Sequence, residues 1–415
     1  MTDQTSTIPK GWKMTTLGEV ADVNSSTIDK NYTFNEIEYI DVASVEERNL
    51  NETQKLKLES APSRAKRIVI DNSVLISTVR PNLKHYCFIK KAKPNLVAST
   101  GFAVINSKKG KSDPYYLYNL LTTNEYTNYL IKIADSQTST YPAFNPSIIQ
   151  NSKFLLPPFP EQHAIGAVFS SLDNKIELLR EQNKTLEATA QEIFKEWFVN
   201  FNFPGATGKM VDSELGKIPA GWRSGKLGDE VETILGGTPS TEKKEYWQNG
   251  TIPWINSGKI NDFRIYEPTT YITEKALEES AAKLMPKGTV VIAITGATLG
   301  QISRLEIDST GNQSVIGLLP NENFPSVYIY YWMMSNISNI INTATGGAQQ
   351  HINKNDVNNF DFIIPEKSIR KVFLKTSNPL LEKVSNNCFQ IQTLSKLRDA
   401  LLPKLMKGEL RVKNF

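Results

Sequence analysis

Histidine and cysteine are the scarcest reactive residues of this 415-residue chain, three of one and two of the other. Cys87 and Cys388 are too few for a disulfide framework and lack the CxxC spacing of a zinc site, which fits a reducing cytosol. His85, His163 and His351 lie far apart with no His-x-x-x-His pair, so neither metal-assisted hydrolysis nor a histidine-based triad has a signature. No run of about 18 apolar residues occurs, and the opening MTDQTSTIPKGW has neither an apolar nor an arginine-rich leader pattern. A cytoplasmic protein, neither exported nor membrane-spanning and free of metal, is expected. Charge blocks and low-complexity tracts are also missing; with 40% hydrophobic and 22% charged residues the whole chain is expected to fold.

Signatures of catalysis are equally sparse. Gly205-Ala206-Thr207-Gly208-Lys209 lacks the spacing of a phosphate loop and follows a helical pattern, so it reads as a linker. No GxGxxG follows a strand. Asn145-Pro146-Ser147-Ile148 departs at its third and fourth positions from the Asn-Pro-Pro-aromatic motif of amino-methyltransferases. The expectation is a chain without a catalytic centre or cofactor of its own. Net charge is only +4, and it is unevenly spread: residues 1–156 hold 19 basic against 15 acidic side chains, residues 211–363 hold 12 against 17. Any nucleic-acid footprint must therefore be local.

What the chain does have is an internal repeat. Ile8-Pro9-Lys10-Gly11-Trp12, followed by Leu17-Gly18-Glu19-Val20, recurs as Ile218-Pro219-Ala220-Gly221-Trp222, followed by Leu227-Gly228-Asp229-Glu230-Val231. The run from Asn72 to Arg80 matches Gly288 to Gly296, and Asn145, leading into Phe154-Leu155-Leu156-Pro157, matches Asn353, leading into Phe362-Ile363-Ile364-Pro365. Each copy has one plan. About 150 residues of short Val/Ile/Tyr runs broken by Gly, Pro and Asn precede a long helical pattern.

In the first tail, Ile165, Phe169, Leu172, Ile176, Leu179, Asn183, Leu186, Ala190, Ile193 and Trp197 alternate by four and three. Leu380, Val384, Asn387, Ile391, Leu394, Arg398, Leu401 and Leu405 do the same in the second, with Pro379 and Pro403 near the two ends. A heptad seam with one buried Asn in each helix is expected, the lone polar residue setting register. Pairing the two tails antiparallel within the chain gives a pseudo-twofold rod with a domain at each end; such helices could also serve as ordinary core or as a zipper between copies.

The duplicated plan, ending in Leu401-Leu402-Pro403-Lys404-Leu405-Met406-Lys407-Gly408-Glu409-Leu410, resembles the specificity subunit of type I restriction-modification enzymes over the whole chain. Further echoes are Leu156-Pro157-Pro158-Phe159-Pro160-Glu161-Gln162, Ile193-Phe194-Lys195-Glu196-Trp197-Phe198 and Leu235-Gly236-Gly237-Thr238-Pro239-Ser240. The resemblance implies an α+β chain with two similar α/β target-recognition domains, residues 1–157 and 204–365, and two long antiparallel coiled-coil helices, residues 158–203 and 366–415. It also implies that each domain reads half of a bipartite site in double-stranded DNA. The helices would fix the spacer and dock two methyltransferase subunits, which restriction and motor subunits join in the full complex. Two departures, Asn24-Ser25-Ser26-Thr27 in place of the Gly-Gly-Thr-Pro segment and Pro365-Glu366-Lys367 at the second helix head, point to unlike half-sites. The alternatives are the recognition subunit of a type IIB-like methyltransferase-nuclease and a coiled-coil scaffold that binds no DNA.

Sequence is read by side chains that reach base edges from loops, while phosphate contacts position the protein. Candidate contacts in the first domain are Arg80, Asn82, Lys84, His85 and Tyr86, then Gln137, Ser139 and Tyr141, with Ser99 and Thr100 behind them. Those in the second are Thr295, Thr298 and Gln301, then Gly347, Gln349, Gln350 and His351, with Asn312 and Gln313. Trp12 and Trp222 read as structural anchors. Apolar residues at helix and domain junctions, Phe159, Phe194, Phe198 and Leu402, are the candidates for docking partner subunits.

Overall fold

The computed structural model describes residues 8–137, 141–343 and 351–412. The chain forms two compact units, Met1–Ile176 with Thr393–Phe415, and Glu177–Gln392.

In the first unit the run SVLIS of Ser73–Ser77 is buried at every position, as a continuous aliphatic segment bounded by turn residues predicts for a strand covered on both faces. It lies inside an antiparallel sheet in the order Ala21–Val23, Phe102–Ser107, Ser73–Ser77, Tyr86–Ile89. A second sheet runs Gln54–Lys57, Glu36–Ile40, Leu96–Ser99, Ala65–Ile68, with Leu96–Ser99 parallel to Glu36–Ile40. Helices Pro114–Leu121 and Asn124–Gln137 cover the first sheet with a core that includes Tyr116, Leu117 and Leu130. Strand Lys13–Thr16 pairs with Lys153–Leu156, which leads straight into a long helix.

The second unit repeats this topology. Thr233–Leu235, Val315–Leu318, Val290–Ala293 and Ile302–Arg304 form its antiparallel sheet in the equivalent order. Thr270–Ile272, Ile252–Ile255 and Thr310–Gly311 form the other, again with one parallel pair. Its fourth strand shrinks to a bridge between Met285 and Ser309. A single helix, Ser326–Thr343, stands where the first unit has two, and Arg223–Lys226 pairs with Asp361–Ile364 ahead of the second long helix.

Both long helices, Phe159–Phe198 and Lys367–Met406, have 40 residues, about 60 Å each at 1.5 Å per residue. Each unit contains a stretch of both, and within each they run antiparallel. In the first, Arg398 donates to Asp173 at 3.1 Å and Arg411 to Glu161 at 2.8 Å. In the second, Phe194 meets the ring of Phe373, and Asn387 Nδ2 donates to Asn183 Oδ1 at 2.9 Å. The two seam asparagines therefore meet across the helix pair, as expected of register-setting residues, with Asn183 Nδ2 donating on to Cys388 Sγ at 3.2 Å. One expectation fails. Pro379 lies inside its helix, because the seam continues N-terminally through buried Phe373 and Ser377 and carries the helix through a residue that supplies no backbone N–H.

Candidate nucleic-acid interface

In the first unit three segments are laced together at one end of the central strand. Thr78 N donates to Gly101 O at 2.8 Å, Phe144 N to Thr78 O at 3.0 Å and Arg80 N to Pro142 O at 2.7 Å, beside a bridge between Val79 and Ala143. Candidate loops far apart in sequence thus meet. The corner turns through a short 3-10 helix, Pro81–Leu83, flanked by two left-handed residues, Arg80 at φ 48° and Lys84 at φ 54°. Exposed Arg80 stacks its guanidinium 4.9 Å from the centroid of the Tyr141 ring, which is 64% exposed. A stacked guanidinium keeps its edge free to donate in a fixed plane, the geometry that matches a phosphate or a guanine edge. Asn82 and Thr100 are exposed beside it, and Gln137 is exposed on its helix.

The equivalent corner of the second unit is laced the same way. Ile294 N donates to Ser314 O at 3.0 Å, Ile352 N to Ile294 O at 3.1 Å and Thr295 Oγ1 to Ser314 Oγ at 2.7 Å. The short 3-10 helix is Gly296–Thr298, and the left-handed positions are Gly296 at φ 68° and Gly300 at φ 83°. Each stands 216 positions after its cationic counterpart. Thr238 Oγ1 donates to Gln313 Oε1 at 2.5 Å, and the Gln313 residue is exposed. Thr298 is half-buried, Gln301 exposed and Asn312 half-buried, its Oδ1 accepting from Ser314 N at 3.1 Å. His351 is exposed.

Several sequence expectations are corrected. Tyr86 is buried at 4% exposure and its hydroxyl donates to Glu47 at 3.0 Å; its strand is covered on both faces, Tyr86 packing into one core and Cys87 into another. Ser99 is buried too, its hydroxyl accepting from Gly101 N at 3.2 Å. Lys84 is paired with Glu47 at 3.1 Å, and the half-buried His85 ring bonds the Val45 carbonyl through Nδ1. Phe194 and Phe198 lie in the aromatic core of the second unit and Leu402 in that of the first, so these side chains offer no docking surface. Phe159 remains, 41% exposed. Ser139, Gly347, Gln349 and Gln350 lie outside the described residues.

The family-like motifs turn out to be anchors. Glu161, 1% exposed, accepts from the Trp12 indole at 3.2 Å and from Arg411, while Gln162 donates to Pro157 O at 2.9 Å and accepts from Asp113 N at 3.0 Å. Trp222, 5% exposed, stacks on Phe203 with centroids 5.1 Å apart. In the Gly-Gly-Thr-Pro segment a Cβ on Gly236 would sit 2.3 Å from Asn312 O, so only glycine lets that strand pass the Asn312 loop.

Sequence gave no sign of the clamps that fasten each globular part to its helices. In the second unit Arg264, its side chain fully buried, pairs with Glu187, donates to Tyr330 at 3.1 Å and stacks between Phe263 and Tyr330. Burial lifts the Glu187 carboxyl above its ordinary range while Arg264 pulls against that shift. Arg64 was also missed; exposed but bonded to Asp41 at 2.7 Å, it adjoins Thr100, whose N donates to the Arg64 carbonyl at 2.7 Å. Burial pushes the two thiols up, Cys87 to about 12 and Cys388 to about 11, so both stay protonated at neutral pH.

Two units of one topology, each bearing a laced polar corner and clamped onto a share of two long helices, define a duplicated recognition-module architecture. The profile of the type I restriction modification DNA specificity domain matches the chain twice, at residues 9–188 and 219–393, and the chain belongs to that family. It is 30% identical to the Type I restriction enzyme MjaIX specificity subunit of Methanocaldococcus jannaschii, over 98% of this chain and 95% of the relative. It is 25% identical to the Type I restriction enzyme HindI specificity subunit of Haemophilus influenzae, over 96% and 99%. The crystal structure of a type I restriction-modification system S subunit from M. genitalium superposes with a TM-score of 0.60 at 16% identity, covering 97% of this chain and 98% of that one, a likeness of fold.

Proposed function

We propose that this chain is the non-catalytic DNA-recognition subunit of a type I restriction-modification complex, residues 1–157 and 204–365 each reading one half of a bipartite site. The helical segments 158–203 and 366–415 then set the spacer and carry the docking sites for two methyltransferase subunits, to which restriction and motor subunits attach. The observation that carries this reading is the pair of equivalent corners, alike in backbone and unlike in side chains: Arg80, Asn82 and Tyr141 in one, Thr295, Thr298, Gln301 and Gln313 in the other. A common frame with different reading groups is what two unlike half-sites require. Arg80 supplies the charge-assisted contact of the first half-site, and Thr100 and Gln137 flank it; Asn312 and His351 flank Gln313 in the second. Among the described residues no helix is long and apolar enough to cross a membrane, and both cysteines are free, which supports a cytoplasmic setting.

Selection of bound sites from a random DNA pool, using the chain with its co-encoded methyltransferase at moderate salt, tests this. A split motif with unlike halves around a fixed gap is expected, with affinity falling steeply as salt rises. A contiguous motif, or retention indifferent to salt, would rule the reading out.

A further inference from the structure

A hairpin turn of the first unit holds an arginine where the backbone favours glycine. Strands Val45–Glu46 and Asn49–Leu50 are joined through Glu47 and Arg48, and Arg48 stands at φ 63°. Such a residue persists only where its surroundings over-determine it. Here they do. The guanidinium donates to Asn119 Oδ1 at 3.2 Å, to Thr122 Oγ1 at 3.0 Å and to Asp173 Oδ2 at 3.4 Å, and lies 4.9 Å from the centroid of the Tyr118 ring.

Asp173 belongs to the first long helix. Its Oδ2 also accepts from the Tyr115 hydroxyl at 2.6 Å, and its Oδ1 from Arg398 of the second long helix at 3.1 Å. One carboxylate is therefore bonded to two separate pieces of the globular part and to the opposite helix. The three charged side chains are 9%, 17% and 13% exposed for Arg48, Asp173 and Arg398, so salt screens them poorly. The turn is tied in turn to the central sheet, Arg48 N donating to Tyr86 O at 2.9 Å, and that sheet carries the Arg80 corner. None of these side chains belongs to the proposed reading loops.

We infer that Asp173, gripped by Arg48, is a positioning residue for half-site spacing: it holds the first reading domain at one angle on the helix pair. This rests on the reading of the chain as a two-domain DNA reader. A domain that pivots about the helix still recognises its half-site, but accepts it over a wider range of separations. Loosening the joint changes spacing selectivity and leaves the bases read unchanged.

The test uses the full-length chain in its methyltransferase complex and a DNA pool in which the two half-sites, identified with the unaltered chain, are separated by every spacer across about one helical turn. Arg48→Gly suits the left-handed turn and deletes the guanidinium. The ratio of the preferred spacer to its neighbours is expected to fall about tenfold, the occupancy ratio equivalent to one charge-assisted hydrogen bond, with half-site bases unchanged. An unaltered spacer profile, or altered half-site bases, overturns the inference. If Arg48→Gly does not fold, Tyr115→Phe, which deletes a single bond to Asp173, is measured instead, and an unchanged profile there is equally decisive. Failure of the unaltered chain to select any split site would refute the DNA-reader reading before a variant is made, and the inference with it.

Discussion

The two corners differ by what stands at the same two left-handed backbone positions: Arg80 and Lys84 in the first repeat, Gly296 and Gly300 in the second. A left-handed residue with a side chain costs about 1 kcal/mol relative to glycine. The first repeat bears that cost twice and obtains a stacked guanidinium on Tyr141 and an ammonium fixed on Glu47. The second avoids it and presents amides and hydroxyls instead. One backbone frame can thus be charged or neutral without any change of fold, which lets a duplicated chain present two chemically different corners.

The clamps differ as well, and the largest effect is expected there. Glu187→Ala strands the fully buried Arg264 without a counter-charge and should lower stability by about 3–5 kcal/mol. Asp173→Ala should cost about 1–3 kcal/mol, since Arg48 keeps Asn119 and Thr122 and Arg398 keeps Asp399. Chemical denaturation followed by circular dichroism measures both; equal losses would break the contrast between a lone buried pair and a shared network.

At the corners, Arg80→Ala should weaken DNA binding by about 1–3 kcal/mol if the guanidinium meets a base, and relax selectivity at that position. A uniform loss across sequences, with a shallower salt dependence, would instead assign Arg80 to a phosphate. Binding titrations at two salt concentrations separate the cases. Transplanting the first corner onto the second sharpens the comparison. Gly300→Lys would set a Cβ 2.7 Å from Ile341 Cδ1 and is expected to cost about 1–2 kcal/mol, read as a lowered melting point. Gly296→Arg meets nothing within 4 Å and should cost no more than about 1 kcal/mol. If that substitution leaves the second half-site preference untouched, the Gly296 corner does not face DNA.

Much of the fold was legible because it was written twice. The tryptophan-bearing openings, the strand runs from Ser73 and Val290 and the seam with Asn183 and Asn387 all appear where periodicity and repetition placed them. Which loops gather at one end of each central strand was legible in outline, since the strand ends carry them. Individual side chains were not. Tyr86 and Ser99 belong to candidate loop segments yet are buried, because their strands are covered on both faces and no alternation of side chains along them leads to solvent. Phe194, Phe198 and Leu402 look like an exposed helix-end surface in sequence, but the helix ends are folded into the globular cores.

What the sequence determined by itself was the local pattern: two copies of one plan, two helical seams, and glycine where backbones pass closely. Those are short-range properties, set by composition and spacing. The tertiary structure decided which distant residues share a charge: Arg48 with Asp173 across 125 positions, Arg264 with Glu187 across 77, Arg411 with Glu161 across 250. No periodicity announces such pairs. Each depends on long side chains converging in a low-dielectric space that exists only after the sheets and helices have packed.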